Sequence, residues 1–165
     1  TQSRSSAASD VYKRQIPSSP QYVSEFSHAT ACDPVYVSGN RAYVTLRGGT
    51  TCENFVNQLD VIDISNITNP TLIKTHPMFN PHGLSIKDGN LYLCDGAEGL
   101  KVFDATDDMQ IGNNMLSSDP SIATFDVIAN PYRDLLLVIG KDGFFQYDIS
   151  SPTSMTRISS ILVEK

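Results

Sequence analysis

Asp33, His82 and Asp126 are the side chains whose types could do chemistry in this chain. Two carboxylates and an imidazole offer oxygen and nitrogen ligands to a divalent cation. A cation held that way could activate water against an ester or a lactone. Arg47, Asp95, Glu98, Lys141 and Asp142 sit in loops that a β-rich fold would bring to the same end. Against this stands a plainer reading, in which polar residues line a wet channel with no ligand. His82, between Pro81 and Gly83, then only hydrogen-bonds a neighbouring backbone. The plainer reading leads, and no residue is assigned as catalytic. Other chemistries lack their residues. There is no Ser-His-Asp spacing, no Gly-rich phosphate loop and no Cys-x-x-Cys pair, and Gly96-x-x-Gly99 reads as a hairpin loop.

Cys32 and Cys52 form a second constellation. Cys32 precedes one expected strand and Cys52 follows the next, at the same end of the unit. A disulfide there would pin the loop that begins at Gly48 and add roughly 2–4 kcal/mol in an oxidising compartment. The alternative is two free thiols in a reducing one. Cys94 lies within an apolar run and reads as a small buried core residue rather than a nucleophile.

The elements that must position these residues repeat. Gln58-Leu-Asp-Val-Ile-Asp63-Ile returns as Leu100-Lys-Val-Phe-Asp104 and again as Phe144-Phe-Gln-Tyr-Asp148. Around each lie short alternating or apolar runs, separated by turn residues such as Gly39-Asn40, Asp88-Gly89 and Asn130-Pro131. Unit one has strands at 34–38, 41–46, 58–64 and 71–75. Unit two has them at 82–86, 91–94, 100–103 and, weakly, around 111–116. Unit three has them at 123–128, 135–139, 144–147 and 157–163. The run Leu135 to Ile139 is continuously apolar, which predicts burial on both faces. Gln21 to Phe26 alternates and predicts one stray strand. The repeated Asp63, Asp104 and Asp148 are expected to accept backbone N–H bonds in the turn to the fourth strand, a structural role.

Four-stranded units of 40–45 residues are the mark of propeller blades, which need neighbours to cover their faces. The expected fold is therefore all-β: a β-propeller fragment of about three four-stranded antiparallel blades plus one stray strand. The blades fall at about 30–78, 79–118 and 119–165. Three blades do not close a ring, so the expected shape is an open arc with exposed edges. In such a meander the start of the first strand and the end of the second share one mouth. That placement is what gathers Asp33, His82 and Asp126.

The chain has 165 residues, 12 basic and 18 acidic, with a net charge of −6 and a pI near 4.8. An acidic chain with no basic stripe is a poor partner for nucleic acid. No apolar run is long enough to cross a membrane as a helix. Residues 1–20 are expected to be disordered or artefactual, and 21–165 to be the partial propeller. Ser9-Asp-Val-Tyr-Lys-Arg-Gln15 resembles the translation of a transposon-end adapter used in sequencing libraries. Removing residues 1–15 takes away Arg4, Lys13, Arg14 and Asp10 and leaves a more acidic remainder. A signal peptide, if one exists, would lie upstream.

Tyr43-Val-Thr-Leu, Leu59-Asp-Val-Ile-Asp-Ile-Ser, Asn80-Pro-His-Gly-Leu and Leu100-Lys-Val-Phe-Asp together resemble the LVIVD-repeat β-propeller proteins of bacterial envelopes and surfaces. The resemblance runs over roughly residues 30–163. It implies a propeller and a location in the periplasm, at the outer membrane or on the cell surface, often as a lipoprotein. It implies no established activity. The expected function is a non-enzymatic interaction module whose mouth binds a protein or glycan, with no cofactor. The alternative is a metal-dependent, lactonase-like hydrolase with a divalent cation on Asp33, His82 and Asp126.

Overall fold

The computed structural model describes residues 18–26, 34–48 and 56–163. Their regular secondary structure is almost entirely β, arranged as three four-stranded antiparallel sheets in chain order. The first sheet holds β1 (Val35–Ser38), β2 (Arg41–Leu46), β3 (Gln58–Asp63) and β4 (Thr71–Pro77). The second holds β5 (Leu84–Lys87), β6 (Asn90–Cys94), β7 (Leu100–Asp104) and β8 (Met115–Asp119). The third holds β9 (Thr124–Ala129), β10 (Leu135–Gly140), β11 (Gly143–Asp148) and β12 (Thr156–Leu162). Each is a simple meander, and none closes into a barrel. This is the architecture expected of part of a β-propeller.

Local chemistry explains the strands. Val, Ile, Tyr, Phe and Thr dominate them, as suits a pleated, half-buried surface. The β5–β6 hairpin turns at Asp88-Gly89, where both residues have positive φ, 50° and 76°. That pair of angles matches a two-residue turn whose twist suits a hairpin. At the far end of each third strand the same fastening occurs three times. Asp63 Oδ1 accepts from Ser65 N at 2.8 Å, Asp104 Oδ1 from Thr106 N at 2.9 Å and Asp148 Oδ1 from Ser150 N at 2.8 Å. Hydrogen bonds from Ser65 and Thr106, side chain first and then backbone, hold Asp63 and Asp104 below the usual carboxylate range. At Asp148 the backbone of Ser150 leads, with the same effect.

The sheets stack in one sense. Pairing aligns Tyr43 with Val61 in the first sheet, Tyr92 with Val102 in the second and Leu137 with Gln146 in the third. Tyr43, Leu59 and Val61 pack on Leu84, Leu91, Leu93 and Phe103 of the second sheet. The equivalent Tyr92, Leu100 and Val102 pack on Leu136, Val138, Phe145 and Tyr147 of the third. The first and second sheets thus each cover the next with a forward face, and the second and third are each covered on a backward face by the sheet before. On the first sheet the backward face carries Ala42, Val44, Leu46, Ile62 and Ile64, with Phe26 against it.

Three sequence expectations are altered. Residues 21–26 keep only a single bridge position, Ser24, whose hydroxyl donates to the Ile67 carbonyl. The fourth strand of unit two lies at Met115–Asp119, after a 3₁₀ turn at Ile111–Asn113. Ile111 is buried there between the first two sheets, so its apolar character serves a turn and not a strand. β10 is buried on one face alone: Leu136 and Val138 are fully covered, while Leu137 is 44% and Ile139 39% exposed.

The Asp fastenings lead to a measurable expectation. A carboxylate whose folded pKa is depressed stabilises the fold above its unfolded pKa, about 3.9, and loses that contribution as pH falls through the folded value. Asp104→Ala should lower the urea midpoint at pH 7 more than Asp104→Asn, because the amide oxygen can still accept from Thr106 N. The wild type should lose its advantage over Asp104→Ala as pH falls below about 4. Equal midpoints for Ala, Asn and wild type at pH 7 would show that the turn bond contributes nothing.

Candidate functional site

The first strands of the three sheets start close together, and one cavity opens there. It measures ≈ 270 Å³ and is lined by Pro34, Arg47, His82, Gly83, Phe125 and Asp126. Pro34 and Arg47 flank β1 and β2 of the first sheet, His82 and Gly83 lead into β5, and Phe125 and Asp126 lie in β9. All three sheets therefore supply a wall.

Backbone bonds fix His82. Its N–H donates to the Cys94 carbonyl at 2.7 Å, and its own carbonyl accepts from Thr45 Oγ1 at 2.8 Å. Gly83 N donates to the Phe125 carbonyl at 3.0 Å, stitching the second sheet to the third. The approach is so close that a Cβ on residue 83 would lie 2.7 Å from the Asp126 Cα and 1.9 Å from its Oδ1. Only glycine fits. Asp126 Oδ1 accepts from Val127 N at 2.9 Å, and the side chain is exposed on the cavity wall.

The His82 ring is set between a cation and an aromatic ring. Arg47 Nη1 lies 2.8 Å from His82 Nε2 and also contacts Nδ1. The Phe125 ring centroid lies 5.4 Å from that of His82, tilted by 52°. Burial pushes the His82 pKa down, and repulsion from Arg47 pushes it further, against a smaller pull from Asp95. The imidazole is therefore neutral at pH 7.

Behind the cavity lies a buried support. Asp95 is fully buried and pairs with Lys101 Nζ at 2.6 Å. Its carboxylate also accepts from Asn80 N at 2.7 Å and Phe79 N at 3.3 Å. These bonds hold the turn that delivers Asn80, Pro81 and His82, and Asn80 Nδ2 reaches His82 Nε2 at 3.4 Å. Asp95, expected at the mouth, thus acts from within. Cys94 beside it is fully buried, and burial pushes its thiol up to about 12, so it does not ionise as a nucleophile.

The residues singled out from the sequence divide as follows. His82, Asp126 and Arg47 share the cavity. Asp142 lines a different one, with Ile122, Phe145, Arg157, Leu162 and Val163. Glu98 and Lys141 are exposed loop residues. Asp33, Cys32 and Cys52 lie outside the described residues. Among the described residues no three His, Cys, Asp or Glu side chains come together as a metal-binding group. Arg47, moreover, places its cation against the ring nitrogens that a metal would use, and like charges repel. Phe125 was missed in the sequence. Its only signal is its place next to Asp126 at the start of an expected first strand.

Two consequences are open to measurement. Asp95→Ala strands the Lys101 ammonium and leaves Asn80 N without its acceptor, and should cost about 3 kcal/mol of stability, read from urea unfolding. A loss under about 1 kcal/mol would place the pair among weak surface bridges. His82 should also leave a pH signature. Its folded pKa lies below the unfolded one, so the unfolded chain takes up the proton first. Stability should therefore fall as pH drops below about 6.5, and His82→Gln should remove that slope. An unchanged slope in the variant would assign it to another group.

The family described as LVIVD repeat matches residues 30–76, the span of the first sheet up to His76. No curated protein matches the chain.

Proposed function

We propose that the chain is a non-enzymatic interaction module of a β-propeller-like repeat protein, and that the cavity between Arg47, His82, Phe125 and Asp126 is where it holds a protein or glycan. The observation that carries this reading is the lining itself. A guanidinium, a neutral imidazole, a carboxylate and a partly exposed phenyl ring surround one open hollow. Phe125 is 43% exposed, enough to present its face to a sugar ring or an apolar side chain. Arg47 and Asp126 supply donors and acceptors of opposite charge beside it. Such a mixture of one aromatic surface and a few convergent polar groups suits recognition. Hydrolysis would need a nucleophile or a cation, and the guanidinium on His82 disfavours the latter.

The resemblance to LVIVD-repeat proteins supports work in the periplasm, at the outer membrane or on the cell surface, among extracellular glycans and proteins. Among the described residues no helix is long and apolar enough to cross a membrane. The acidic balance disfavours nucleic acid as the ligand.

Glycan and peptide arrays provide the test. A ligand found there should lose affinity by about tenfold or more in Phe125→Ala and in Arg47→Ala, as central anchors do. Tyr132→Ala, on a distant turn, should bind normally. Ligands that bind both cavity variants as well as wild type would displace the site. A stoichiometric divalent cation in the purified protein, with ester or lactone hydrolysis lost in His82→Ala, would replace this reading with a metal-dependent hydrolase.

A further inference from the structure

Phe125 and Asp126 are consecutive in β9, yet both line the same cavity. In a regular strand two neighbours point to opposite faces. The register explains the exception. Asp126 pairs with Ile139 and Thr124 with Gly140, so Phe125 is an extra residue in the ladder. A bulge of this kind re-aims a side chain and recurs beside active sites. Here it sets an aromatic ring, 43% exposed, next to a carboxylate.

The repeat separates what holds the scaffold from what departs from it. Asp63, Asp104 and Asp148 recur at one position in all three sheets, and each fastens a turn. Asp126 does not recur: its place is held by Pro34 before β1 and by Gly83 before β5. It also does little for the fold. Its Oδ1 accepts from Val127 N, its own neighbour in the strand, at 2.9 Å. Among the described residues its Oδ2 has no partner, and the carboxylate joins no ion pair. Nearby charges are already engaged, Asp95 with Lys101 and Arg47 with the His82 ring.

We propose that Phe125 and Asp126 receive a basic side chain of a peptide, a lysine ammonium or an arginine guanidinium. The cation lies over the exposed face of Phe125 and donates to Asp126 Oδ2. A metal ion needs several oxygen or nitrogen ligands held together, and the described residues offer no such group. An ammonium needs only one carboxylate and one aromatic face. Arg47 repels a cation at the His82 nitrogens, so the basic group enters on the Phe125 side. Arg47 is left to donate to a main-chain carbonyl of the same peptide. A neutral sugar laid over this wall would instead cover a carboxylate without pairing it, which is costly. The net charge of −6 draws a basic ligand in. This inference rests on the cavity being a recognition site and names the class of ligand it takes.

A peptide array printed in pairs, probed with the complete protein, tests it. Each lysine sequence stands beside its Nε-acetyl-lysine copy, and each arginine sequence beside its citrulline copy. The charged member should bind about tenfold or more tightly than its neutral copy. Asp126→Asn, whose amide oxygen still accepts from Val127 N, should erase that difference. Asp142→Asn, at a different cavity, should leave it intact. Equal binding of the two copies overturns the inference, as does a charge preference that survives Asp126→Asn. A glycan or neutral peptide that depends on Phe125 and Arg47 but ignores Asp126→Asn also overturns it, while leaving the recognition site in place. Displacement of the peptides by glucosamine overturns it in favour of an amino sugar. Failure of every ligand to depend on Phe125 removes the recognition site as well.

Discussion

Everything in this chain depends on one sheet burying its face against the next. A four-stranded meander has two faces and cannot cover either by itself. Here the cover is repeated: Tyr43, Leu59 and Val61 close over the second sheet, and Tyr92, Leu100 and Val102 over the third. Fully burying such side chains is worth roughly 1.5–3 kcal/mol each. The polar contacts across the seams are fewer. Tyr36 to Ile86 and Ser85 to Ala129 fix the register of the stack more than its strength.

The cavity inherits its geometry from that stack. Gly83 can approach Asp126 only because the second and third sheets are pressed together at their first strands. Arg47 reaches His82 only because the first sheet is docked on the second. Asp95 and Lys101 add a local brace, tying the turn before β5 to the β6–β7 hairpin. Charge then sets the chemistry. The Arg47 guanidinium against the ring nitrogens repels a second cation, while the neutral imidazole can donate to or accept from a polar ligand.

The strands and their grouping were legible in the sequence because the signals are local. Asp63, Asp104 and Asp148 end their strands in a turn chemistry that needs only the next two residues. The Asp88-Gly89 turn announces its hairpin in the same way. What the sequence could not show depends on distant partners. Leu135 to Ile139 reads as doubly buried, yet whether Leu137 is covered depends on a neighbouring sheet and not on the run itself. Ile111 reads as a strand residue because burial in a 3₁₀ turn gives the same apolar signal. Asp95 reads as a mouth carboxylate because its donors, Phe79 N, Asn80 N and Lys101, converge on it only after folding. The placement of His82, Arg47 and Asp126 at one end followed from antiparallel order. The ring of Phe125 beside them did not.

The walls of the cavity come in pairs, one pair from each sheet. Among the described residues no single element supplies more than one wall, and the aperture follows the angles at which the sheets dock. A hinge of a few degrees at either seam would move Arg47 or Phe125 relative to His82 while leaving each sheet internally intact. The seams are thus the tuning screws of the hollow, and a core substitution such as one at Leu93 or Val102 would be felt there as a change of width.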